Sequence, residues 1–572
     1  MNVNKKDIIK LLEKIAIYLE LKGENSFKIS AYRRASLALE QDDRSLSEIE
    51  DFTKIKGIGK GTSAVIEKYI LDGESDTLRQ LEQEVPQGLV PLLNLPGLGG
   101  KKLAKLYQEL GVTDAISLQR VCESGKVEKL AGFGKKTAEK ILQALEHAGS
   151  RPERLPIAMI IPVAERIEAF LSTIEEIHTF SRAGSLRRMR ETVKDIDFII
   201  SSAQPAVVRD ALLQMDTIKE VIAKGDTKVS VTLDDVYDIN VDFRIVDPKE
   251  FTTTLHHFTG SKEHNVAMRQ LAKSRDEKIN EYGITRIESD EIITFENETQ
   301  FFNHFGLPYI PPEVRENQGE IETFTKNINL LEHTDIRGDL HMHTTWSDGG
   351  QSLEEMVNEA RKIGYEYIAI TDHSKFLRVA NGLDETKLRK QRVEIERIND
   401  KYSDIHVFAG VEMDILPDGT LDFDNEFLKE MDFVIGAIHS SFNQTEEKIM
   451  KRLENAMENP YVTFIAHPTG RVIGRRSGYP VDMNKLFQLA KETNTALEIN
   501  ANPNRLDISA EWARKAQEND VMVVVNTDAH SFQMLDDMKH GVGIARKGWI
   551  EKSNVLNTWS KEKLIQFMQQ KR

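Results

Sequence analysis

Three aspartates, Asp195, Asp197 and Asp242, have a pattern suited to phosphoryl transfer. Residues 183–200 read Ala-Gly-Ser-Leu-Arg-Arg-Met-Arg-Glu-Thr-Val-Lys-Asp-Ile-Asp-Phe-Ile-Ile. Gly184 lets the backbone approach a ligand closely. Ser185 offers a hydroxyl, and Arg187 and Arg188 offer forked cationic donors matched to phosphate oxygens. Asp195 and Asp197 are two apart at a strand start, so their carboxylates share a face. The strand pattern at 239–245, Ile-Asn-Val-Asp-Phe-Arg-Ile, adds Asp242. Three such acids beside a phosphate-gripping turn suit two divalent cations roughly 3.5–4 Å apart and in-line phosphoryl transfer. A D-x-D pair alone is more often a solvated strand end. The Gly-Ser turn before it and the lone acid after it favour the metal-binding reading.

A second set of candidate ligands begins at Asp339. Of 15 histidines, nine lie beyond residue 330, and most end short apolar runs. His341-Met-His343 is followed by Ser-Asp348-Gly, Thr-Asp-His373, Gly-Val-Glu412, Ala-Ile-His439, Ile-Ala-His467-Pro and Thr-Asp528-Ala-His530. Leu497–Asn500 reads as one more strand with no evident ligand. A lone strand-end His is usually structural, but this many strand ends are not explained that way. Nine His, Asp and Glu side chains converging on one mouth would hold two or three metals with positions open to water.

These residues require strands that end together. Strand and helix patterns alternate from 336 onward, as in Leu353–Ile363 and Lys485–Glu492, which predicts a (β/α)7 barrel of the TIM type, one unit short. Strands near 196–201, 228–233 and 239–245, with a helix around Ala164–Leu171, predict an α/β domain over 151–248, and the order Gly-Ser, Asp-x-Asp, then Asp on a later strand resembles the palm of the nucleotidyltransferase superfold. Residues 249–318 form a candidate thumb, and the acidic stretch 319–335 reads as a linker or docking arm.

The first 150 residues read as helical, with Ile8, Leu11, Leu12, Ile15 and Leu19 on one period. Three Gly-x-Gly turns follow, at Gly57/Gly59, Gly97/Gly99 and Gly132/Gly134, each with lysines and a helix after it. Each is expected to lie between amphipathic helices. No strand precedes these turns, which argues against a dinucleotide site. Backbone N–H groups at helix N-termini and nearby lysines suit DNA phosphates. The expected division is 1–80, a small DNA-binding domain, then 81–150, fingers with helix-hairpin-helix motifs.

Composition excludes several classes. No apolar run approaches the eighteen or so residues of a membrane span, and residues 1–7 lack a signal-peptide core. The single Cys122 excludes an intramolecular disulfide and suits a reducing cytoplasm. The net charge of −16 is unevenly spread: 1–150 carries +1, 151–335 carries −11 and 336–572 carries −6. The excess acid lies where metal ligands and the linker are expected, so it weakens a DNA reading little.

Residues 257–283, with His257-Phe-Thr-Gly-Ser-Lys-Glu-His-Asn265 and Asn280-Glu-Tyr282, resemble the thumb of family X DNA polymerases, the group containing polymerase beta. Gly225-Asp-Thr-Lys228 and Asp242-Phe-Arg244 extend the match over most of residues 1–318. The resemblance implies that Asp195, Asp197 and Asp242 hold two Mg²⁺ or Mn²⁺ ions and that Ser185 and Arg188 bind a triphosphate. Phe258, Gly260 and Asn265 would face the incoming nucleotide, and Arg269 the template. Lys28 and Tyr32 match residues that grip a 5′-phosphate across a gap.

Three positions depart from the family pattern. Lys194 replaces a Gly before D-x-D, His257 replaces a Tyr, and Val65 replaces the lysine used for 5′-deoxyribose-phosphate chemistry.

Residues 336–572 resemble the PHP (polymerase and histidinol phosphatase) domain through H-x-H, S-D-G, T-D-H, G-V-E, I-H-S, A-H-P and T-D-A-H. The resemblance makes His341, His343, Asp348, His373, Glu412, His439, His467, Asp528 and His530 ligands of two or three metals, Mn²⁺ or Zn²⁺. The expected protein is a monomeric, cytoplasmic polymerase acting on gapped or primer-template DNA with deoxynucleoside triphosphates. The expected repair role resembles base excision repair. Its PHP domain would supply a 3′→5′ exonuclease, with 3′-phosphodiesterase or AP-endonuclease activity as a further expectation. The alternatives are a phosphatase of small metabolites or a DNA-end scaffold, each with a relic polymerase half.

Overall fold

The computed structural model describes residues 5–572 except 41, 43–45, 47, 48, 50, 95–97, 131, 150–152, 236 and 325–328. The chain divides into two units. One is 1–152 with 345–350 and 373–384; the other is 153–344, 351–372 and 385–572.

The first unit is helical. In the helix Lys5–Lys22, the residues Ile8, Leu11, Leu12, Ile15 and Leu19 are all buried, as their spacing predicts. The helices Lys60–Asp72 and Gly100–Leu110 start from Gly59 and Gly99 as N-caps. A third, Lys135–Gly149, follows the Gly132/Gly134 turn. The elements before these turns are short 3₁₀ segments, Phe52–Lys54, Pro91–Asn94 and Val127–Lys129, where amphipathic helices were expected. These segments are too brief to have a helical hydrophobic period. The boundary expected at residue 80 falls inside the helix Asp76–Glu84. Its Leu81 joins one core running from Ile8 to Leu145.

In the second unit, the palm sheet contains β1 (Thr179–Arg182), β2 (Ile196–Ser201), β3 (Ile218–Lys224), β4 (Lys228–Leu233) and β5 (Ile239–Val246). Their order is β1-β2-β5-β4-β3, with β2 and β5 parallel and the other neighbours antiparallel. Along β5, Ile239, Val241, Phe243 and Ile245 are buried and alternate with half-buried positions, so Asp242 lies on the open face.

The thumb helices Phe251–Thr259 and Lys262–Lys273 lead into a core of Met268, Phe301, Phe302 and Phe305. Of the stretch 319–335, expected as a linker or docking arm, several described residues are packed against the thumb. Glu320 is fully buried and bonds His264 Nδ1 at 2.6 Å, and Phe324 and Leu330 enter the thumb core.

The barrel has seven parallel strands in chain order: β6 (Gly338–Asp339), β7 (Tyr367–Ile370), β8 (His406–Asp414), β9 (Phe433–Ala437), β10 (Val462–Ile465), β11 (Ala496–Asn500) and β12 (Val523–Asn526). The first and last close through a bridge between Met342 and Ala529, with His343 N–H donating to Ala529 O at 2.8 Å. Nearly every strand residue is buried, as parallel strands covered on both faces require. Among the described residues, no helix is long and apolar enough to cross a membrane.

Candidate active sites

In the palm, parallel pairing sets Asp197 directly beside Asp242. Asp195 immediately precedes β2, and its Oδ1 is buried with no hydrogen-bond partner. Burial, followed by the charges of Asp242 and Asp195, pushes the Asp197 carboxyl up to about 7. A site that resists a third negative charge this strongly fits divalent cations. Lys228 on β4 pairs with Asp242 at 2.8 Å. Gly184 has φ +60, and a Cβ there would collide with Asp197 Oδ2, so the Gly-Ser turn passes tightly against the acids. Ser185 lies half-buried in the short helix Gly184–Arg187.

The two arginines of the turn diverge. Arg187 is committed to Glu298 at 2.7 Å and to Thr259 Oγ1 at 2.8 Å, a structural pairing in place of the phosphate contact its position offered. Arg188 donates through Nη1 to Thr259 O at 2.7 Å and through Nε to Glu316 at 3.1 Å.

Thr259 of the first thumb helix accepts from both arginines of this turn. Arg244 stands over the Phe258 ring at 4.0 Å. Asn265 Nδ2 donates to His257 O at 2.7 Å, while its Oδ1 is buried without a hydrogen-bond partner. A Cβ on Gly260 would lie 2.7 Å from that Oδ1, so glycine is needed for the approach. Arg269 is exposed on its helix.

Of the expected DNA contacts, Gly57 and Gly132 have φ +118 and +94, while Gly59, Gly99 and Gly134 have open space where a Cβ would stand. Gly97 lies outside the described residues. Lys28 is exposed and 3.5 Å from Glu24. Tyr32 differs from expectation: it is 8% exposed and part of the helical core. Its place on the helix Ser26–Glu40 puts it on the same face as Ala35 and Leu39, which is the buried one.

At the barrel mouth, ligand atoms of His341, His343 and Asp528 lie within 4.8 Å of one another, and the rings of His343 and His530 stack at 4.2 Å. His467 Nε2 is 3.0 Å and His439 Nε2 3.2 Å from Glu412 Oε1, which brings these seven expected side chains to one mouth; in the other unit His373 Nε2 is 3.4 Å from Asp348 Oδ1. His467 and Asp528 have φ +30 and +55, backbone strain of roughly 1–3 kcal/mol each that clusters where function demands it.

Electrostatics favours positive charge here. Burial opposes protonation of His341, yet Glu498, Asp528 and Glu412 lift it well above the usual histidine range. His439 is raised to about 10, because Glu412 and Asp414 outweigh burial. The donor set of buried imidazoles and carboxylates suits divalent metals, and His341 Nε2 and His467 Nδ1 have no hydrogen-bond partner.

Several functional residues were missed from the sequence. Glu498 on β11 accepts from His341 Nδ1 at 2.8 Å and from His467 N–H at 2.8 Å. Asp414 meets His439 Nδ1 at 3.2 Å. Asp339 accepts from Thr527, and Thr344 donates to Asp372 at 2.7 Å. The strand taken to lack a ligand therefore orients two of them. A carboxylate amid the apolar run Ala-Leu-Glu-Ile-Asn is itself the signal that was available.

Residues 3–75 match the helix-hairpin-helix domain family, and 89–147 match the SAM-like helix-hairpin-helix tandem. Residues 254–316 match the DNA polymerase beta thumb, and 339–502 match the PHP domain. The chain is 30% identical over 237 residues to a "Probable phosphatase" of Thermoanaerobacter sp. (strain X514), covering 38% of this chain and 89% of that protein. A "Probable phosphatase" of Clostridium acetobutylicum is 26% identical over 243 residues, covering 41% and 94%. The DNA polymerase/3′-5′ exonuclease PolX of Bacillus subtilis (strain 168) is 59% identical over 566 residues, 99% of each chain. With helix-hairpin-helix, thumb and PHP regions in one order and identity running end to end, the chain belongs to the PolX family of DNA polymerase/3′-5′ exonucleases.

Proposed function

We propose that the chain is a DNA-directed DNA polymerase that fills short gaps during repair, with its PHP barrel trimming DNA 3′ ends. The observation that carries the polymerase reading is Asp197 set in register beside Asp242, with Gly184 pressed against Asp197. Asp195, Asp197 and Asp242 hold two Mg²⁺ or Mn²⁺ ions, whose charge stabilises phosphoryl transfer. Asp242 accepts the primer 3′-hydroxyl proton. Ser185 and Arg188 hold the triphosphate, and Phe258, Gly260 and Asn265 face the nucleotide. Arg269 and the hairpin glycines hold the template and the DNA backbone. The substrate is gapped or primer-template DNA with deoxynucleoside triphosphates, and the enzyme works as a cytoplasmic monomer.

In the barrel, His341, His343, Asp348, His373, Glu412, His439, His467, Asp528 and His530 hold two or three Mn²⁺ or Zn²⁺ ions, which supply Lewis-acid charge at a DNA phosphodiester. Glu498, Asp414 and Asp339 orient that shell. Similarity to proteins named phosphatases favours a second activity of the same mouth, removal of phosphate-bearing groups from DNA 3′ ends.

A gapped duplex with Mn²⁺, with and without deoxynucleotides, tests the reading through primer length. Asp195→Ala with Asp197→Ala should abolish extension and leave 3′ degradation; His341→Ala with His343→Ala should do the reverse. Loss of both activities in a folded palm variant would overturn the assignment of two separate sites. Turnover of phosphorylated metabolites but not of DNA would replace it with the phosphatase alternative.

A further inference from the structure

Arg188 already carries an anion. Its Nε donates to Glu316 Oε1 at 3.1 Å, and Glu316 belongs to the end of the thumb. The same Oε1 accepts from Lys547 Nζ at 2.9 Å and lies 3.7 Å from Arg190 Nη1. Lys547 is the last residue of the helix Met538–Lys547, which belongs to the barrel's sequence. Its ammonium also donates to the carbonyls of Arg188 and Glu313, both at 3.2 Å. Its three hydrogen bonds thus end on the palm turn and the thumb terminus.

The same helix presses on the turn a second time. A Cβ on Gly543 would lie 2.9 Å from Met189 Cγ, and Met189 holds a left-handed φ of +52. The side chains of Arg188, Glu316 and Lys547 are only 13%, 11% and 15% exposed, so their charges are poorly screened.

We propose that Lys547 is a positioning residue for nucleotide binding, acting from the PHP sequence on the polymerase site through Glu316. This rests on Arg188 being the triphosphate ligand under the proposed function. For Arg188 to take a phosphate, Glu316 must release it. With Lys547 in place, the released carboxylate keeps a charged partner. Without Lys547, release leaves the mostly buried carboxylate only the half-exposed Arg190 at 3.7 Å, a weaker partner, so Glu316 grips Arg188 more firmly and competes with the triphosphate.

The test is steady-state extension on gapped DNA, read as KM for the deoxynucleotide against kcat. Lys547→Met should raise that KM about tenfold, the size expected from one unbalanced charge-assisted hydrogen bond at a partly buried site. Lys547→Arg should keep it within about twofold, because a guanidinium also donates to a carboxylate. Adding Glu316→Gln to Lys547→Met should bring KM back toward the parent value, since the competing charge is gone. Exonuclease activity should be unchanged throughout and reports that each variant is folded. An unchanged KM in Lys547→Met, or a rise that Glu316→Gln does not reverse, would overturn the proposal. Equal falls in extension and exonuclease rates would also overturn it, by showing a general structural role. If the parent protein extends no primer, the polymerase reading itself fails, an outcome distinct from these.

Discussion

Glu498 Oε1 lies 2.8 Å from His341 Nδ1, so the carboxylate fixes which imidazole nitrogen faces the barrel mouth. Glu498 Oε2 takes the backbone N–H of His467 at 2.8 Å, so one side chain orients ligands from two strands. Glu498→Gln keeps the shape and removes the charge. Metal affinity should fall about 10- to 100-fold, the usual effect of losing such a partner. A Mn²⁺ titration of 3′ degradation, with chelator competition on the purified protein, measures it. Extension of a gapped primer should be unaffected, and an unaltered Mn²⁺ requirement would remove Glu498 from the metal site.

Hairpin glycines provide a test in which folding and DNA contact separate. A Cβ on Gly59 or Gly99 meets nothing within 4 Å, and neither glycine has a positive φ. Gly59→Val and Gly99→Val should therefore fold normally while placing methyl groups where phosphate must approach. Binding to gapped DNA should weaken, and its dependence on salt should become shallower as phosphate contacts are lost. Fluorescence anisotropy across a salt series checks both quantities, and parent-like affinity would count against phosphate contact at these turns.

Local pattern made the palm acids, hairpins and barrel ligands legible. Asp195 and Asp197 have the two-residue spacing that puts strand side chains on one face, and so do His341 and His343, although of the four only Asp197 lies within a strand. What stayed hidden depends on long-range packing. Glu498 and Asp414 sit within fully buried strands, where sequence shows only an odd charge. The resemblance places Tyr32 against a 5′-phosphate, yet the helix turns its ring inward. Glu320 looked like part of an acidic linker, but its partner His264 is 56 residues away. No spacing rule links Lys547 to Glu316, which are 231 residues apart.

Acid should loosen the thumb's anchor on the palm. Glu298 is held by Arg187 at 2.7 Å and also bonds Arg315. Burial alone would raise its carboxyl, but Arg315 and Arg187 outweigh that and hold it down at about 2. A depressed folded-state value means that the stabilisation is present above the unfolded value near 4.5 and is lost as pH falls toward 2. The shift corresponds to about 3 kcal/mol by linkage. Unfolding midpoints measured from pH 7 to 3 should fall more steeply for the parent than for Glu298→Gln, which is already destabilised at neutral pH. Parallel curves would show that this pair does not govern acid stability.

The first unit should be poor at 5′-deoxyribose-phosphate removal. That chemistry needs a neutral amine to attack the sugar aldehyde, so the lysine's pKa must be lowered by its surroundings. Val65 occupies the position of the expected lysine and is instead packed against the helical core. Of the nearby amines, Lys68 pairs with Asp76, and that hydrogen bond raises its pKa, opposite to what a nucleophile requires. Lys60 is exposed at the helix start, one residue beyond the Gly59 cap. Lys28 remains available as a 5′-phosphate contact, so the unit is expected to bind a gap's 5′ end without cleaving its sugar. Borohydride trapping on a duplex carrying a 5′-deoxyribose phosphate should give little or no cross-linked protein, while the same DNA is still bound. Efficient trapping that disappears in Lys60→Ala or Lys68→Ala would show that the reaction uses a different lysine, and would refute the expectation drawn from Val65.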